Sequence, residues 1–337
     1  MQRWYDKDLD RSPLQDRGLV IFGYGAQGRA QARNLHDAGY GPVVALREDS
    51  PRRAVAEADG LAVKTPEEAA ESAEIAVMLV PDTVQGRFYE QVLAERLPQG
   101  ACLVFAHGYA LHYGYVQPRA DLDAVMVAPM GIGEQVRDTF VGGAGVPAMV
   151  AVARDGTGGA WSRALAYAGA GGHGRAGVLE TSFREETETD LFAEQAVLVG
   201  GLGELIRAAF DTLVEAGYQP EIAYFCCLHE VKLIADLIHR RGVSGMRESI
   251  SEVADLGAAM QGPRIIGEPS RQAMREALEA IRAGDFDAEL QHEVSEGFSR
   301  LRRWREHDRE ALIERVGAEL RSMMPWLAEE DDPGHGA

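Results

Sequence analysis

Short apolar runs alternate with predicted helices along the first half of the chain. Each run is bounded by turn-forming residues, which is typical of a buried strand. Strands that alternate with helices favour an open parallel sheet covered by helices. We therefore predict an α/β domain with a Rossmann-like parallel sheet over residues 1–182. The apolar runs are 19–22, 42–46, 75–80, 102–105, 124–127 and 147–152.

The pattern changes near residue 183, where apolar positions begin to recur at helical spacing. This change predicts an all-helical domain over residues 183–327. The final stretch, 328–337, is acidic and contains glycine and proline, so we expect a disordered tail. The helical patterns cover 187–215, 221–240, 246–260, 269–283 and 306–324.

A glycine-rich motif follows the first apolar run directly and precedes a predicted helix. Its glycines allow a tight turn, and the N-terminus of the next helix offers free N–H groups to a pyrophosphate. A G-x-G-x-x-G between a strand and a helix indicates a dinucleotide-binding fold. The candidate dinucleotide contacts in this motif are Gly23, Tyr24, Gly25, Ala26, Gln27 and Gly28.

The loop after the second predicted strand indicates which dinucleotide is bound. NAD-selecting sites usually place an acid here to hold the ribose hydroxyls. This loop instead contains Arg47, Ser50, Arg52 and Arg53, a cluster suited to a 2′-phosphate. We therefore predict NADPH rather than NADH. Glu48 and Asp49 lie in the same loop, and a solvated arginine-rich loop is the alternative interpretation.

Further candidate contacts follow the later predicted strands. Ligands of open parallel sheets bind outside the carboxyl ends of the strands. His107 lies there, so we assign it to the pocket, although a histidine after a strand can also be a hydrogen-bonded structural residue. Asp82 and Gly133 also follow predicted strands and complete the set of predicted cofactor contacts.

Acidic residues are concentrated at the start of the helical half. Asp190 and Glu194 are four residues apart, so they share one face of a helix. Such a pair is either exposed at a helix start or held inward for a cation. Glu230 is a further acid in a later helix, and the sequence alone does not place it near the pair. Ser251 ends a polar cluster that is either a helix cap or a binding contact.

Composition restricts the partners and the cellular location that we expect. The 337 residues carry a net charge of −19, which argues against nucleic acids and anionic membranes as partners. Three cysteines form no disulfide framework, so a reducing cytoplasm is expected. No apolar run approaches the roughly 20 residues that cross a bilayer, and no signal segment follows Met1.

Several collinear stretches resemble one family. They are GYGAQG (23–28), FAHGY (105–109), ETSFREETETDLFAEQAVLVGGL (180–202), LVEAGYQPEIAYF (213–225) and GMRESIS (245–251). The chain resembles the short, bacterial-type ketol-acid reductoisomerases of branched-chain amino acid biosynthesis. The resemblance implies a Rossmann domain that binds NADPH, followed by a knotted helical domain similar to the C-terminal domain of 6-phosphogluconate dehydrogenase. It also implies a homodimer or higher oligomer with shared active sites.

The resemblance assigns roles to individual residues. The family active site holds two magnesium ions, and Asp190 is similar to the carboxylate that bridges them. Glu194 is similar to a further ligand of the first ion, and Glu230 to a ligand or substrate contact from the partner subunit. Ser251 is similar to the residue that holds the substrate carboxylate, and His107 to the histidine beside the nicotinamide. The implied reaction is an alkyl migration followed by hydride transfer from NADPH.

Two positions depart from the family pattern. The motif V-A-P-K-G-P-G-H has become VAPMGIGE (127–134), so Met130 replaces a lysine. The motif Y-F-E-C-L-H-E has become YFCCLHE (224–230), so Cys226 replaces a glutamate. Because Mg²⁺ prefers oxygen ligands, we expect one magnesium site at Asp190 and Glu194 and a doubtful second site at Cys226 and Glu230. One positive and one negative group have been lost together, which favours a new function over decay.

Three functions are compatible with this pattern. In the first, an NADPH-dependent reductase acts on a carbonyl or imine without alkyl migration, with catalytic residues His107, Asp190, Glu194, Glu230 and Ser251. We favour this function because hydride transfer needs orientation and a polarising group rather than two metals. The alternatives are a genuine magnesium-dependent ketol-acid reductoisomerase and a catalytically silent nucleotide-binding partner.

Overall fold

The chain forms two units, and the structure, a computed structural model, describes residues 1–324. The first unit comprises Met1–Thr187, and the second begins at Glu188. The predicted tail, 328–337, lies outside the described residues.

A nine-stranded sheet forms the centre of the first unit, with strand order β1-β9-β8-β7-β6-β5-β2-β3-β4. All six predicted strands are confirmed, two of them residue for residue. The structure adds three strands of two or three residues, β1, β4 and β9, which are too short to give a sequence pattern. The strands are β1 (Arg3–Trp4), β2 (Leu19–Phe22), β3 (Val43–Ala45), β4 (Ala62–Lys64), β5 (Ile75–Met78), β6 (Cys102–Phe105), β7 (Asp123–Pro129), β8 (Ala148–Arg154) and β9 (Val178–Glu180).

The helices of the first unit cover both faces of the sheet. Neighbouring residues of β2 enter two different cores: Leu19 and Ile21 pack in one, and Val20 and Phe22 in the other. A strand that is buried on both faces has a continuous apolar sequence, which explains why these strands could be predicted well from the sequence. The helices are α1 (Ala26–Asp37), α2 (Arg52–Ala58), α3 (Pro66–Ala70), α4 (Asp82–Phe88), α5 (Tyr109–His112), α6 (Gly133–Val141) and α7 (Ala160–Ala170).

The predicted parallel sheet is confirmed in its core, and the structure adds two antiparallel strand pairs. The strands from β4 to β7 are parallel, whereas β7 pairs with β8 and β1 pairs with β9 in antiparallel directions. A parallel connection must return across the sheet to the edge where the previous strand began. The connection between β7 and β8 does not return, because α6 packs beside α1 through Ala30, Val136 and Val146. β8 therefore starts at the edge where β7 ends.

The second unit is helical, as predicted, but its helices are divided differently. The predicted helices 187–215 and 221–240 are each interrupted by a π-helical segment, Glu194–Leu198 and Phe225–His229. No described helix is long and apolar enough to cross a membrane. Counting from Phe183, the helices are α8 (Phe183–Ala193), α9 (Gly200–Glu215), α10 (Pro220–Tyr224), α11 (Glu230–Arg247), α12 (Glu252–Ile265), α13 (Glu268–Ala283), α14 (Asp285–Ser295), α15 (Ser299–Glu310) and α16 (Leu312–Ser322).

Two other helix predictions need correction. The pattern at 306–324 spans the end of α15 and all of α16, and the sequence did not predict α14. The pattern at 246–260 spans the break between α11 and α12, where residues 248–251 are not helical. In each case the apolar spacing continues across a short connection, so periodicity alone does not reveal the break.

The core of the second unit is small. Its buried members are Phe210, Ala223, Tyr224, Ile313 and Leu320. Many apolar side chains of the same unit are exposed to solvent. A large exposed apolar surface usually marks an interaction site. The most exposed examples are Val253 at 85%, Val199 at 70%, Met323 at 67% and Leu256 at 64%.

Asp123, at the start of β7, is a fully buried carboxylate that anchors the amino edge of the sheet. Its two oxygens accept hydrogen bonds from the N–H groups of Gly156 and Thr157, both at 3.0 Å, and from the Arg163 guanidinium at 2.8 Å. The charge of Arg163, which is itself largely buried, is therefore compensated by this one carboxylate.

We predict that Asp123→Ala lowers the free energy of unfolding by about 3–5 kcal/mol, because it leaves the Arg163 charge unpaired in the interior. Urea denaturation followed by circular dichroism measures the change. Asp121→Ala is the matched control, since the Asp121–Arg119 pair is more exposed and its loss should cost clearly less. Equal losses in the two variants would contradict the assignment.

Candidate functional site

The glycine-rich motif forms a tight turn between β2 and α1. Gly23 has a φ of +107°, and a Cβ placed on it would lie 2.4 Å from the Leu79 carbonyl oxygen. A Cβ on Gly28 would lie 2.3 Å from the Gly23 carbonyl oxygen. Only glycine fits these two positions. The first helical hydrogen bond runs from the Arg29 N–H to the Gly25 carbonyl at 2.8 Å. The earlier N–H groups, those of 26–28, lie at the open end of α1 and could bind a pyrophosphate.

Tyr24, in the same turn, directs its side chain into the protein. Its hydroxyl donates to Asp59 at 2.8 Å, and Asp59 also accepts from Arg29 at 2.8 Å. Burial, together with the neighbouring Asp59 carboxylate, raises the pKa of Tyr24 above its ordinary value. Burial alone would raise the pKa of Asp59, but the hydrogen bonds from Arg29 and Tyr24 lower it below its ordinary value. Tyr24 therefore fixes the turn against α2 and leaves its backbone as the part available to a dinucleotide.

The arginine loop divides into exposed and internal residues. Arg47 and Asp49 are both exposed, and Nε of Arg47 lies 3.6 Å from Oδ1 of Asp49. Arg53 instead donates to the Leu46 carbonyl at 2.8 Å, so its guanidinium stabilises the loop from inside. Arg52 lies beside the glycine turn, because a Cβ on Gly25 would be 3.6 Å from its guanidinium. Ser50 accepts a hydrogen bond from the Arg52 N–H at 3.4 Å.

The segment after β7, residues 130–133, lies against the glycine turn. The Gln27 side-chain amide donates to the Gly131 carbonyl at 2.8 Å. A Cβ on Gly133 would lie 2.4 Å from the backbone of Ala26, so the two helix N-termini approach as closely as a glycine permits. Met130 is held by its N–H, which donates to the Pro147 carbonyl at 2.8 Å, while its side chain is 46% exposed.

His107 follows β6 and is fixed by a carboxylate that sequence reasoning did not select. Its Nδ1 lies 2.9 Å from Glu186 Oε1, and the other oxygen of Glu186 accepts from the Gly108 N–H at 2.8 Å. An ionised carboxylate can only accept, so Nδ1 of His107 carries the proton. Because Glu186 is buried, these two contacts hold the histidine ring and its turn in one orientation.

A sequence signal for Glu186 does exist. Glu186, Asp190 and Glu194 follow one another at four-residue intervals, which places successive members on one helical face. Only the last two were assigned a role, because Glu186 is one of several acidic residues in the segment. In the structure α8 contains Glu186 and Asp190, and Glu194 is the first residue of a π-helical segment.

Both stretches that were predicted to supply metal ligands contain a π-helical segment. In the first, the Val199 N–H donates to the Glu194 carbonyl at 3.0 Å. The second contains Cys226, which is exposed, and ends immediately before Glu230. Segments of this kind are rare in proteins and frequent at functional sites. Carboxylates at 190, 194 and 230 fit the oxygen preference of Mg²⁺, whereas the thiol of Cys226 does not.

Two further predicted site residues lie at helix starts. Ser251 is the N-cap of α12, and its hydroxyl oxygen accepts from the Ala254 N–H at 3.3 Å. Asp82 begins α4 after β5, and one of its oxygens accepts from the buried Gln85 amide at 2.8 Å. The cap alternative for the polar cluster is therefore present in the structure, and the binding role of Ser251 stays a prediction.

Comparisons with known proteins match nearly the whole chain. The family model described as acetohydroxy acid isomeroreductase, NADPH-binding domain, matches residues 13–177, and that of the ketol-acid reductoisomerase C-terminal domain matches residues 183–326. The solved structure of an NADH-preferring ketol-acid reductoisomerase from an uncultured archaeon is 41% identical, with 96% of this chain and 99% of that chain covered and a TM-score of 0.93.

A more distant likeness concerns the fold alone. The NAD-binding semialdehyde dehydrogenase protein from Cupriavidus necator is 19% identical, with 79% of this chain and 98% of that chain covered and a TM-score of 0.57.

We predict that Glu186→Ala releases the proton from Nδ1 of His107, so that both ring tautomers become populated. Nitrogen NMR of the imidazole distinguishes the two. The variant should also lose about 1.5–3 kcal/mol of unfolding free energy, because the Gly108 N–H loses a charged acceptor. Glu185→Ala is the control on the same helical turn, and there the tautomer should not change. An unchanged ring spectrum in Glu186→Ala would refute the contact.

Proposed function

The chain belongs to the ketol-acid reductoisomerase family, and within that family we propose that it reduces a small carbonyl or imine substrate with NAD(P)H but does not catalyse the alkyl migration. The observation that carries the proposal is the presence of Met130 and Cys226 at the positions where the family motifs that the chain resembles have a lysine and a glutamate. The two residues belong to the family motifs that surround the reaction. Their neutral side chains leave the formal charge of the site unchanged.

A thiol in place of a carboxylate at residue 226 would impair metal binding, and the alkyl migration depends on the metal. A pair of magnesium ions would supply the Lewis acidity which that step requires. Asp190 and Glu194 offer carboxylate oxygens and would hold one ion, with Glu230 as a further ligand. Cys226 offers a thiol at the position of the fourth carboxylate, so a second Mg²⁺ would bind weakly or not at all. The site is therefore better suited to reduction than to isomerisation.

The remaining residues are sufficient for reduction. The dinucleotide, when bound, supplies the hydride. The N–H groups at the start of α1 bind its pyrophosphate, and the glycine turn permits the close approach. Glu186 holds Nδ1 of His107 at the edge of the sheet, and its carboxylate would stabilise the imidazolium form, whose Nε2–H can give a proton when the carbonyl oxygen or imine nitrogen gains charge. Ser251 holds the carboxylate of the substrate.

NADPH is the cofactor that we propose. Arg47, Ser50 and Arg52 would bind its 2′-phosphate, and the position of the Arg52 guanidinium beside Gly25 of the glycine turn supports that role. The ion pair between Arg47 and Asp49 weakens the attraction that Arg47 would exert on the phosphate. The relative from the uncultured archaeon is NADH-preferring, so both dinucleotides belong in the test.

A homodimer with shared active sites is part of the same proposal. It is supported by the exposed apolar side chains of α9 to α12, which a second copy would cover. Glu230 then reaches the site of the partner subunit. Sedimentation of the purified protein as a monomer at micromolar concentration would contradict this part of the proposal.

A genuine ketol-acid reductoisomerase is the second candidate. It is favoured by 41% identity to such an enzyme along almost the whole chain. The retention of Asp190, Glu194, Glu230 and Ser251 favours it as well. The two candidates differ in whether the alkyl migration takes place.

The decisive assay compares two substrates under the same conditions. With NADPH and Mg²⁺, we expect oxidation of the dinucleotide with the keto acid 3-hydroxy-3-methyl-2-oxobutanoate and negligible oxidation with 2-acetolactate. A chelator should leave the first rate largely unchanged. Rapid turnover of 2-acetolactate would instead establish the isomerase. Binding of NADPH without turnover of any carbonyl or cyclic imine would identify a silent nucleotide-binding protein.

The double variant Met130→Lys with Cys226→Glu tests the two positions directly. It restores both charges together, so we expect Mg²⁺-dependent turnover of 2-acetolactate to appear. Each single variant is its control, because either change alone leaves one charge without its partner. Isomerase activity in a single variant equal to that of the double variant would show that the two positions are independent.

We predict that Arg52→Ala raises the KM for NADPH about tenfold, because it removes one charged contact with the 2′-phosphate. The KM for NADH should stay within about twofold, since that dinucleotide lacks the phosphate. NADH is therefore the internal control. Equal changes for the two dinucleotides would show that Arg52 supports the pyrophosphate turn rather than cofactor choice.

A further inference from the structure

A chain of side-chain hydrogen bonds runs through the first unit from α7 to the segment after β7. The Tyr167 hydroxyl donates to the Gln31 carbonyl oxygen at 2.8 Å. The Gln31 amide nitrogen donates to the Gln27 carbonyl oxygen at 3.0 Å, and the Gln27 amide nitrogen donates to the Gly131 carbonyl at 2.8 Å. Tyr167 is 1% exposed and Gln31 is 3% exposed, so water does not compete at the inner end.

The direction of this relay is determined by its last acceptor. A backbone carbonyl only accepts, so the amide nitrogen of Gln27 must face Gly131. The oxygen of Gln27 then accepts from Gln31, and the oxygen of Gln31 accepts from Tyr167. Reversing any amide would bring two acceptors or two donors face to face. The links therefore form together, and loss of the Tyr167 contact leaves Gln31, and through it Gln27, less firmly held.

The relay connects two parts of the proposed active site. Gln27 lies in the first turn of α1, beside the N–H groups that face the pyrophosphate. Gly131 is adjacent to Met130, the position where the family has a lysine. Backbone contact between Gly133 and Ala26 holds the same two segments together. Farther along, the Asn34 amide donates to the Val136 carbonyl at 3.1 Å, so α6 is held along α1 at several points.

We propose that Tyr167 and Gln31 are positioning residues for the dinucleotide, acting through Gln27 on the phosphate-binding turn and on residue 130. The proposal rests on the proposed function, since it requires that a dinucleotide binds at this turn. The backbone N–H of Gln27 would then bind the pyrophosphate, and its side-chain amide would align the glycine turn with Gly131. Loss of the Tyr167 hydroxyl leaves a buried acceptor on Gln31. Rotation of the amides does not relieve the loss, because it replaces the unpaired acceptor with an unpaired donor and also breaks the contact between Gln27 and Gly131.

The test compares two buried tyrosines in the same unit. Tyr167→Phe should weaken NADPH and NADH binding about tenfold, as measured by quenching of protein fluorescence. The control is Tyr89→Phe, because Tyr89 is also buried and its hydroxyl accepts from the Arg119 N–H at 2.9 Å. Tyr89 packs in the core on the opposite face of the sheet from Tyr167. Both variants should lose similar thermal stability, but only Tyr167→Phe should alter the dissociation constant.

A second variant keeps the proposal testable if Tyr167→Phe folds poorly. Gln31→Met removes the middle of the relay, and the double variant with Tyr167→Phe should bind the dinucleotide no more weakly than Gln31→Met alone. Additive losses would overturn the relay. Unchanged affinity in Tyr167→Phe, with normal binding by the wild type, would also overturn it. A wild-type protein that binds neither dinucleotide would refute the proposed function and the relay together.

Discussion

The first unit depends on a backbone contact that no side chain could make. Gly133 lies so close to Ala26 that a single added carbon would collide with the peptide group. Because of this approach, α6 remains beside α1 at the carboxyl edge and does not cross the sheet. The direction of β8, the position of Met130 and the surroundings of the glycine turn all follow from it. One steric constraint thereby shapes both the sheet and its candidate site.

The residues around His107 differ from the proposed metal ligands in how they match the family pattern. The groups that orient His107 are intact, with one buried carboxylate serving both the ring and the next N–H. In the proposed reductase, Cys226 would offer a thiol where the family motif has an oxygen ligand, so a second metal ion would bind weakly. Met130 stands where the family motif has a lysine, so the formal charge of the proposed site would be unchanged. Selection for reduction alone would tolerate this change, since only the metal-dependent step needs both groups.

The sequence predicted the strands better than their directions. Runs such as 19–22 and 102–105 were located to the residue, because strands buried on both faces are continuously apolar. The antiparallel β8 depends on helix packing between α6 and α1, which leaves no periodic signal. Glu186 was missed because its neighbours are also acidic, and only burial separates it from them. The role of Ser251 as a cap was one of two alternatives, and hydrogen-bond geometry was needed to identify it.

The π-helical segments have a consequence for helical register. Each residue of an α-helix advances about 100° around the axis, so one extra residue in a turn rotates everything after it by that amount. The stripe of side chains before Glu194 and the stripe after Leu198 therefore need not share a direction. The direction of Asp190 on α8 is therefore independent of the face by which α9 buries Phe210 in the small helical core. Deleting one residue between Glu194 and Leu198 would turn Phe210 by about 100° relative to Asp190 and so remove this independence.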